Sequence, residues 1–270
     1  MRYTCITKET TILEKDALEK MNLKQLKTTD DKLFMINNFR NEKLIFNTFK
    51  SDEDPYVRKA VVNKLSDEQL IYSFKDDEYR SVREAVVKKL SDEQLIFDTF
   101  KDDKHWWIRK AVVKKLSDEK LIFDTFKDDK NWWVRKTVVE KLTDENLIFY
   151  FKDDDDLEVR KEVIKKLTDE NLIYYFKDDE DWEFRLEVIN KLSDEKLIFN
   201  TFKDDKHWWI RKAVIDKLSD ENLIFNTFKD DEHWEVREAV VKKLSDKRLL
   251  SYFRYDICWK VRLAEALNNK

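Results

Sequence analysis

Nine arginines punctuate this chain: Arg58, Arg83, Arg109, Arg135, Arg160, Arg185, Arg211, Arg237 and Arg262, each 25 or 26 residues from the next. The segments around them read S/T-D-E-x-L-I-F-x-x-F-K-D-D, then four variable residues, then V/I-R-K-A-V-V-K-K-L. Self-similarity at a fixed short period is the mark of a repeat architecture. One unit of this size cannot bury its own apolar stripe, so neighbouring units must stack into a continuous core. The predicted fold is therefore all-α: a superhelical α-solenoid of about nine two-helix repeats.

Glycine is absent and proline occurs once, at Pro55. Tight hairpins and phosphate-cradling loops lean on residues that tolerate positive φ, so short helices joined by polar turns are the natural alternative. The first helix of each unit is expected to start at the hydroxyl residue (Ser66, Ser91, Ser117, Thr143, Thr168, Ser193, Ser219, Ser245) acting as N-cap, with the acids that follow complementing the helix dipole. In the 25-residue units LIYSF or LIFYF replaces LIFDTF, which predicts a short or irregular helix there. The second helix is expected to begin near an Asp six residues before each Arg, from Asp52 to Asp256. The nine Arg and nine Asp suggest a ladder of charge-assisted hydrogen bonds between units.

Residues 1–41 break the pattern and are read as an N-terminal helical cap, with 42–270 a single elongated solenoid domain. Within the cap, 11–26 reads as an amphipathic helix, and 31–39 as a second-type helix with Lys32 in place of Arg. At the other end, Glu265 and Ala266 replace a valine pair and read as the polar face of a terminal cap.

The motif D-x-x-W-x-V-R-x-A-V, as in 230–244, resembles the second helix of HEAT repeats. The short period brings it nearer to the HEAT-like units called leucine-rich repeat variants, and the resemblance covers about 43–270. It implies an architecture with second helices on the concave surface. The functions it admits are diverse: scaffolds, lyase subunits and DNA glycosylases. The iron–sulfur cysteines found beside some variant repeats are absent here.

A net charge of −4 argues against a generally basic nucleic-acid binder. No apolar run reaches the roughly 18 residues of a membrane span, and the first residues lack a secretory h-region. A soluble, cytoplasmic, monomeric protein is expected. Cys5 and Cys258 are read as free thiols in a reducing compartment, and two cysteines cannot form a four-thiolate metal site.

On a helical wheel, Ile108, Val112, Val113 and Leu116 share one sector with Trp106, while Trp107, Lys110 and Lys114 fall opposite, with Ala111 beside them. The two tryptophans of each doublet are thus expected to diverge. Three residues before the Arg, Trp106, Trp132, Trp182, Trp208, Trp234 and Trp259 read as core. Two residues before it stand Tyr56, Ser81, Trp107, Trp133, Glu158, Glu183, Trp209, Glu235 and Lys260. The fold does not demand an aromatic at that place, so its tryptophans are either packed on the next unit's turn or part of a binding surface.

One, five and six residues after the Arg, the first eight units carry 17 Lys against 4 acids. The candidate binding residues are therefore Trp107, Trp133, Trp209, Tyr56, Lys110, Lys114, Lys136 and Lys212. A non-enzymatic scaffold for a protein or peptide is the leading expectation. The alternatives are a nucleic-acid binder, possibly a HEAT-like alkylpurine DNA glycosylase, and a binder of a small anionic ligand. His105, His207 and His233 sit on separate helices, too far apart to share a metal. No catalytic residues, cofactor or metal site are expected.

Overall fold

The computed structural model describes residues 28–268, and every regular element among them is a helix. The amphipathic helix expected at 11–26, Cys5 and the last two residues lie outside that range. The chain divides into two compact units, one ending at Thr125 and the other beginning at Phe126.

Each repeat contributes a short first helix and a ten-residue second helix. In 26-residue repeats the first helix has eight residues, as in Glu93–Phe100 and Glu221–Phe228. In 25-residue repeats it shrinks to Glu68–Tyr72, Glu145–Phe149, Glu170–Tyr174 or Lys247–Leu250. The last three of these run on into a 3₁₀ turn. The missing residue is absorbed where the sequence lost it, by tightening the helix. The helix Thr29–Asn38 is of the second type, and Lys32, standing where the Arg would be, forms an ion pair with Asp52 at 2.7 Å.

The core is built on one plan from layer to layer. Ile and Phe of the first helix (Ile96 and Phe100; Ile224 and Phe228) meet Val, Ile and Leu of the second (Val82, Val86, Leu90; Val236, Val240, Leu244), all buried. Each such side chain removed from water contributes about 1.5–3 kcal/mol.

The S-D-E triplet does not cap as expected. The Asp is the N-cap: Asp67, Asp92, Asp144, Asp169, Asp194, Asp220 and Asp246 each accept a backbone N–H of the first turn. The hydroxyl reaches back one repeat, where Ser117 donates to Glu93 at 2.6 Å, Ser193 to Glu170 at 2.7 Å and Ser219 to Glu195 at 2.7 Å. Glu93, Glu170 and Glu195 therefore each serve as acceptor for the next repeat. The Asp wins the cap because its carboxylate carries charge to the positive end of the helix.

The arginine ladder is present. Arg58, Arg83, Arg135, Arg185, Arg211 and Arg237 each grip the Asp of the following repeat through Nε and Nη2, with Nε–O distances of 2.6–2.7 Å. Nη1 meanwhile donates to the carbonyl of the repeat's own Asp, for example Arg211 to Asp205 at 2.7 Å. The same Asp carboxylate accepts the N–H two residues on, as Asp231 does from His233. The second helix starts later than expected, with the residue four before the Arg as N-cap and the Asp closing the turn ahead of it.

One rung is slack. Arg160 Nε is 4.0 Å from Asp179, and its guanidinium lies over the Phe184 ring. Phe184 stands where every other repeat has Val or Ile, and the larger side chain occupies the space that a closed rung needs.

At the C-terminal end, Glu265 is buried rather than facing outward as a polar cap.

Candidate functional site

The position two before each Arg is the second residue of the second helix, and its side chain is exposed wherever it is aromatic. Trp107, Trp133 and Trp209 expose 42%, 39% and 41% of their surface, and Tyr56 more. Their companions three before the Arg are not core. Trp106, Trp132 and Trp208 are half-buried at the surface, whereas Ile108, Val112, Val113 and Leu116 are buried as expected and Ala111 joins them.

Nor do the doublets diverge. The ring centroids of Trp132 and Trp133 lie 4.2 Å apart and those of Trp208 and Trp209 4.3 Å, both pairs stacked; Trp106 and Trp107 meet edge to face at 5.0 Å. Backbone directions 100° apart do not keep two indoles apart, because each is long enough to lean over the helix start. The exposed tryptophan thus rests on a second one, which holds its ring in place.

In the second unit the stacking runs across repeats. Trp182 lies on His207 at 5.0 Å and near Trp209 at 6.5 Å, Trp208 lies on His233 at 4.2 Å, and the Lys260 ammonium caps the Trp234 ring at 4.0 Å. The histidines at the N-cap position therefore serve as spacers between indoles. His207 Nδ1 is buried and makes no hydrogen bond.

The exposed position is also matched to the residue after the Arg in the preceding repeat. Lys136 pairs with Glu158 at 3.0 Å, and Lys161 pairs with Glu183. Trp107 instead donates its indole N–H to Glu84. Burial pushes the Glu84 carboxyl up, but Lys88 and Trp107 together hold it below its ordinary value. Trp209 faces Leu186, and the two wall a cleft of about 310 Å³ that Asn190, Lys212, Ala213, Asp216 and Lys217 complete. Glu84 and Leu186 were not singled out from the sequence, although the pairing recurs there at a spacing of 22 or 23 residues.

The lysine-rich face resolves into three groups. Lysines six after the Arg reach back to the last carbonyls of the preceding second helix: Lys64 to Asn37, Lys115 to Leu90, Lys191 to Leu167, Lys217 to Asn190 and Lys243 to Asp216. A cation at the negative end of a helix dipole is stabilising, so these serve the fold. Lysines one after the Arg pair with acids, as Lys136 does, or lie over indoles, with Lys110 5.8 Å from the Trp107 ring and Lys212 5.0 Å from Trp209. Lysines five after the Arg are exposed, Lys114 among them. The basic surface expected from the count of 17 is thus largely spent on internal pairing.

The candidate residues group by unit. Tyr56, Trp107, Lys110 and Lys114 belong to the first, and Trp133, Lys136, Trp209 and Lys212 to the second. Among the described residues no helix is long and apolar enough to cross a membrane.

A solved leucine-rich repeat variant with a novel repetitive structural motif superposes on this chain with a TM-score of 0.65 at 22% identity, over 81% of this chain and 88% of its own. An engineered protein and a designed armadillo repeat protein cover 86% and 85% of the chain, but their TM-scores of 0.20 and 0.21 carry no argument. No protein-family model matches the sequence, and no curated protein does. The chain is an α-solenoid with the fold of the leucine-rich repeat variants, and that likeness extends to architecture alone.

Proposed function

We propose that the chain is a non-enzymatic scaffold that holds a protein or peptide segment on its exposed tryptophans. The observation that carries this reading is the three Trp side chains at a position where other repeats have Tyr, Ser, Glu or Lys, each exposed yet steadied by a second indole. A large ring kept in water, already ordered, binds at a low entropic cost, and Trp is the side chain most enriched among interface hot spots. In the first unit Trp107 with Lys110 is the contact point, and Tyr56 stands at the same helix position two repeats earlier. In the second it is Trp209 with Leu186 and Lys212, around the cleft between two second helices.

The lysine pairing weighs against the nucleic-acid reading, since phosphate contacts need cations that are free to exchange counterions. The test is quantitative affinity purification with the wild type, Trp107→Ala/Trp133→Ala and Trp209→Ala. Loss of the same discrete partner from a tryptophan variant that keeps its helical content supports the reading. Identical partner sets for all proteins refute it.

A further inference from the structure

The second helix Trp182–Lys191 departs from its neighbours on both sides of Arg185. From Arg58 to Arg237 the other repeats read V/I-R-K/E there, followed by Ala or Thr and once, at Glu162, by an acid. This helix instead reads Phe184, Arg185, Leu186, Glu187. The new side chains line its two flanks. Glu187, with Phe184 and Ile164, lines a cleft of about 380 Å³ against the preceding second helix, Leu157–Lys166, across the joint whose rung is slack. Leu186 lines the cleft on the other flank, which it shares with Trp209 and Ala213.

Each flank also holds a charge without a counter-charge. Glu162, one repeat earlier, is paired with Lys165 at 3.2 Å, whereas the half-buried Glu187 carboxylate meets no cation and accepts no hydrogen bond among the described residues. The other lysines near it are engaged: Lys161 pairs with Glu183, and Lys191 donates to the carbonyls of Lys165 and Leu167. On the other flank Lys212 occupies the place from which Lys136 and Lys161 each hold a Glu of the following repeat. It lies over the Trp209 ring instead, at 5.0 Å, and meets no carboxylate among the described residues. Across the second helices the surface thus runs from a bare carboxylate through an apolar cleft to a bare ammonium. Its complement is a segment that carries the opposite charges in the same order.

From this we infer, on the footing that the chain holds a peptide as proposed above, what the segment at Trp209 looks like. It is extended, sets an apolar side chain between Trp209 and Leu186, a basic one against Glu187, and an acidic one against Lys212. Packed helices stand about 8–10 Å apart, and three residues of polyproline II chain advance about 9 Å and return to the same side. The basic residue therefore stands three positions from the apolar one, with the acid on the far side of it.

The test is selection of a phage-displayed library of random dodecapeptides on the full chain. Sequences enriched by the wild type and lost with Trp209→Ala carry Lys or Arg three positions from an aromatic or aliphatic residue. Glu187→Lys turns that basic preference into an acidic one and Leu186→Lys removes the apolar one, while circular dichroism confirms that each variant keeps its helices. One enriched peptide, synthesised and titrated by calorimetry, binds Glu187→Gln about tenfold more weakly than the wild type. Trp209-dependent sequences without a basic residue, or a basic preference that survives Glu187→Lys, overturn this inference and leave the scaffold reading standing. No Trp209-dependent enrichment at all overturns both at this cleft. Sedimentation showing that the chain alone self-associates, and that Glu187→Lys returns it to monomer, also overturns the inference, since a second copy would then be the occupant.

Discussion

Replacing a ladder arginine should cost far more where the rung is closed than where it is slack. At the closed rung, Arg211 Nε and Nη2 hold Asp231 at 2.6 and 2.8 Å, and both side chains are over nine-tenths buried. Arg211→Met removes the guanidinium but leaves the Asp231 carboxylate buried with only the His233 N–H for company. Stranding one partner of a buried pair costs about 3–5 kcal/mol. Arg160→Met removes a guanidinium that is half-buried and 4.0 Å from its acid, so its cost is about 1 kcal/mol or less. Converting both partners, Arg211→Met/Asp231→Asn, should recover much of the loss, because no charge is then left uncompensated. A solenoid need not unfold in one step, so the readout is amide exchange in the helices flanking each rung, alongside urea denaturation. Equal losses for the two single variants, or a double variant as damaged as the sum of its parts, would refute this account of the ladder.

Four further outcomes follow from the same contacts. Burial pushes Asp103, Asp154 and Asp256 up, but Arg83, Arg135 and Arg237 pull each of them below the ordinary aspartate value. A lowered folded value means stability that is complete above about pH 4 and fades as acid carries the pH through the folded values, so urea midpoints should hold from pH 7 to about 4 and fall below it. Asp220→Ala, which removes a true N-cap, should lower stability by about 1 kcal/mol, and Ser219→Ala should lower it less; the reverse order would restore the hydroxyl as the cap. Trp107→Ala should cost within about 1 kcal/mol, the worth of its contact with Trp106, against about 2–5 kcal/mol for Ile108→Ala, both read from urea melts. Fluorescence anisotropy with single- and double-stranded DNA should show no saturable binding at physiological salt; a steep fall of affinity with salt would return the anionic partner to first place.

Much of the fold is legible because a repeat is read nine times over. Position by position, Arg and Asp recur where Trp and Glu alternate, which separates what stacking requires from what it tolerates. The shortened first helices were readable for the same reason, since Tyr72 and Phe149 end helices at the places where the sequence is one residue short. What escaped is whatever depends on side-chain reach. A wheel places Trp132 and Trp133 100° apart but cannot show that indoles of that length fold together. Ser219 and Asp220 are both good cap formers, and only the position of Glu195 in the preceding repeat draws the hydroxyl away. The lysines of Lys191 and Lys217 type looked like a binding face because their targets are backbone carbonyls, which leave no trace in sequence.

Each Asp that closes a rung also orders the turn of its own repeat, while the Arg beside it reaches forward to the next. At each closed rung the same donor therefore stands on one side and the same acceptor on the other. Removing or inserting one whole repeat rejoins a donor to an acceptor of identical kind, and whether the repeat has 25 or 26 residues is settled inside its first helix. Such an array can change length by duplication or loss of single repeats without first inventing a new joint.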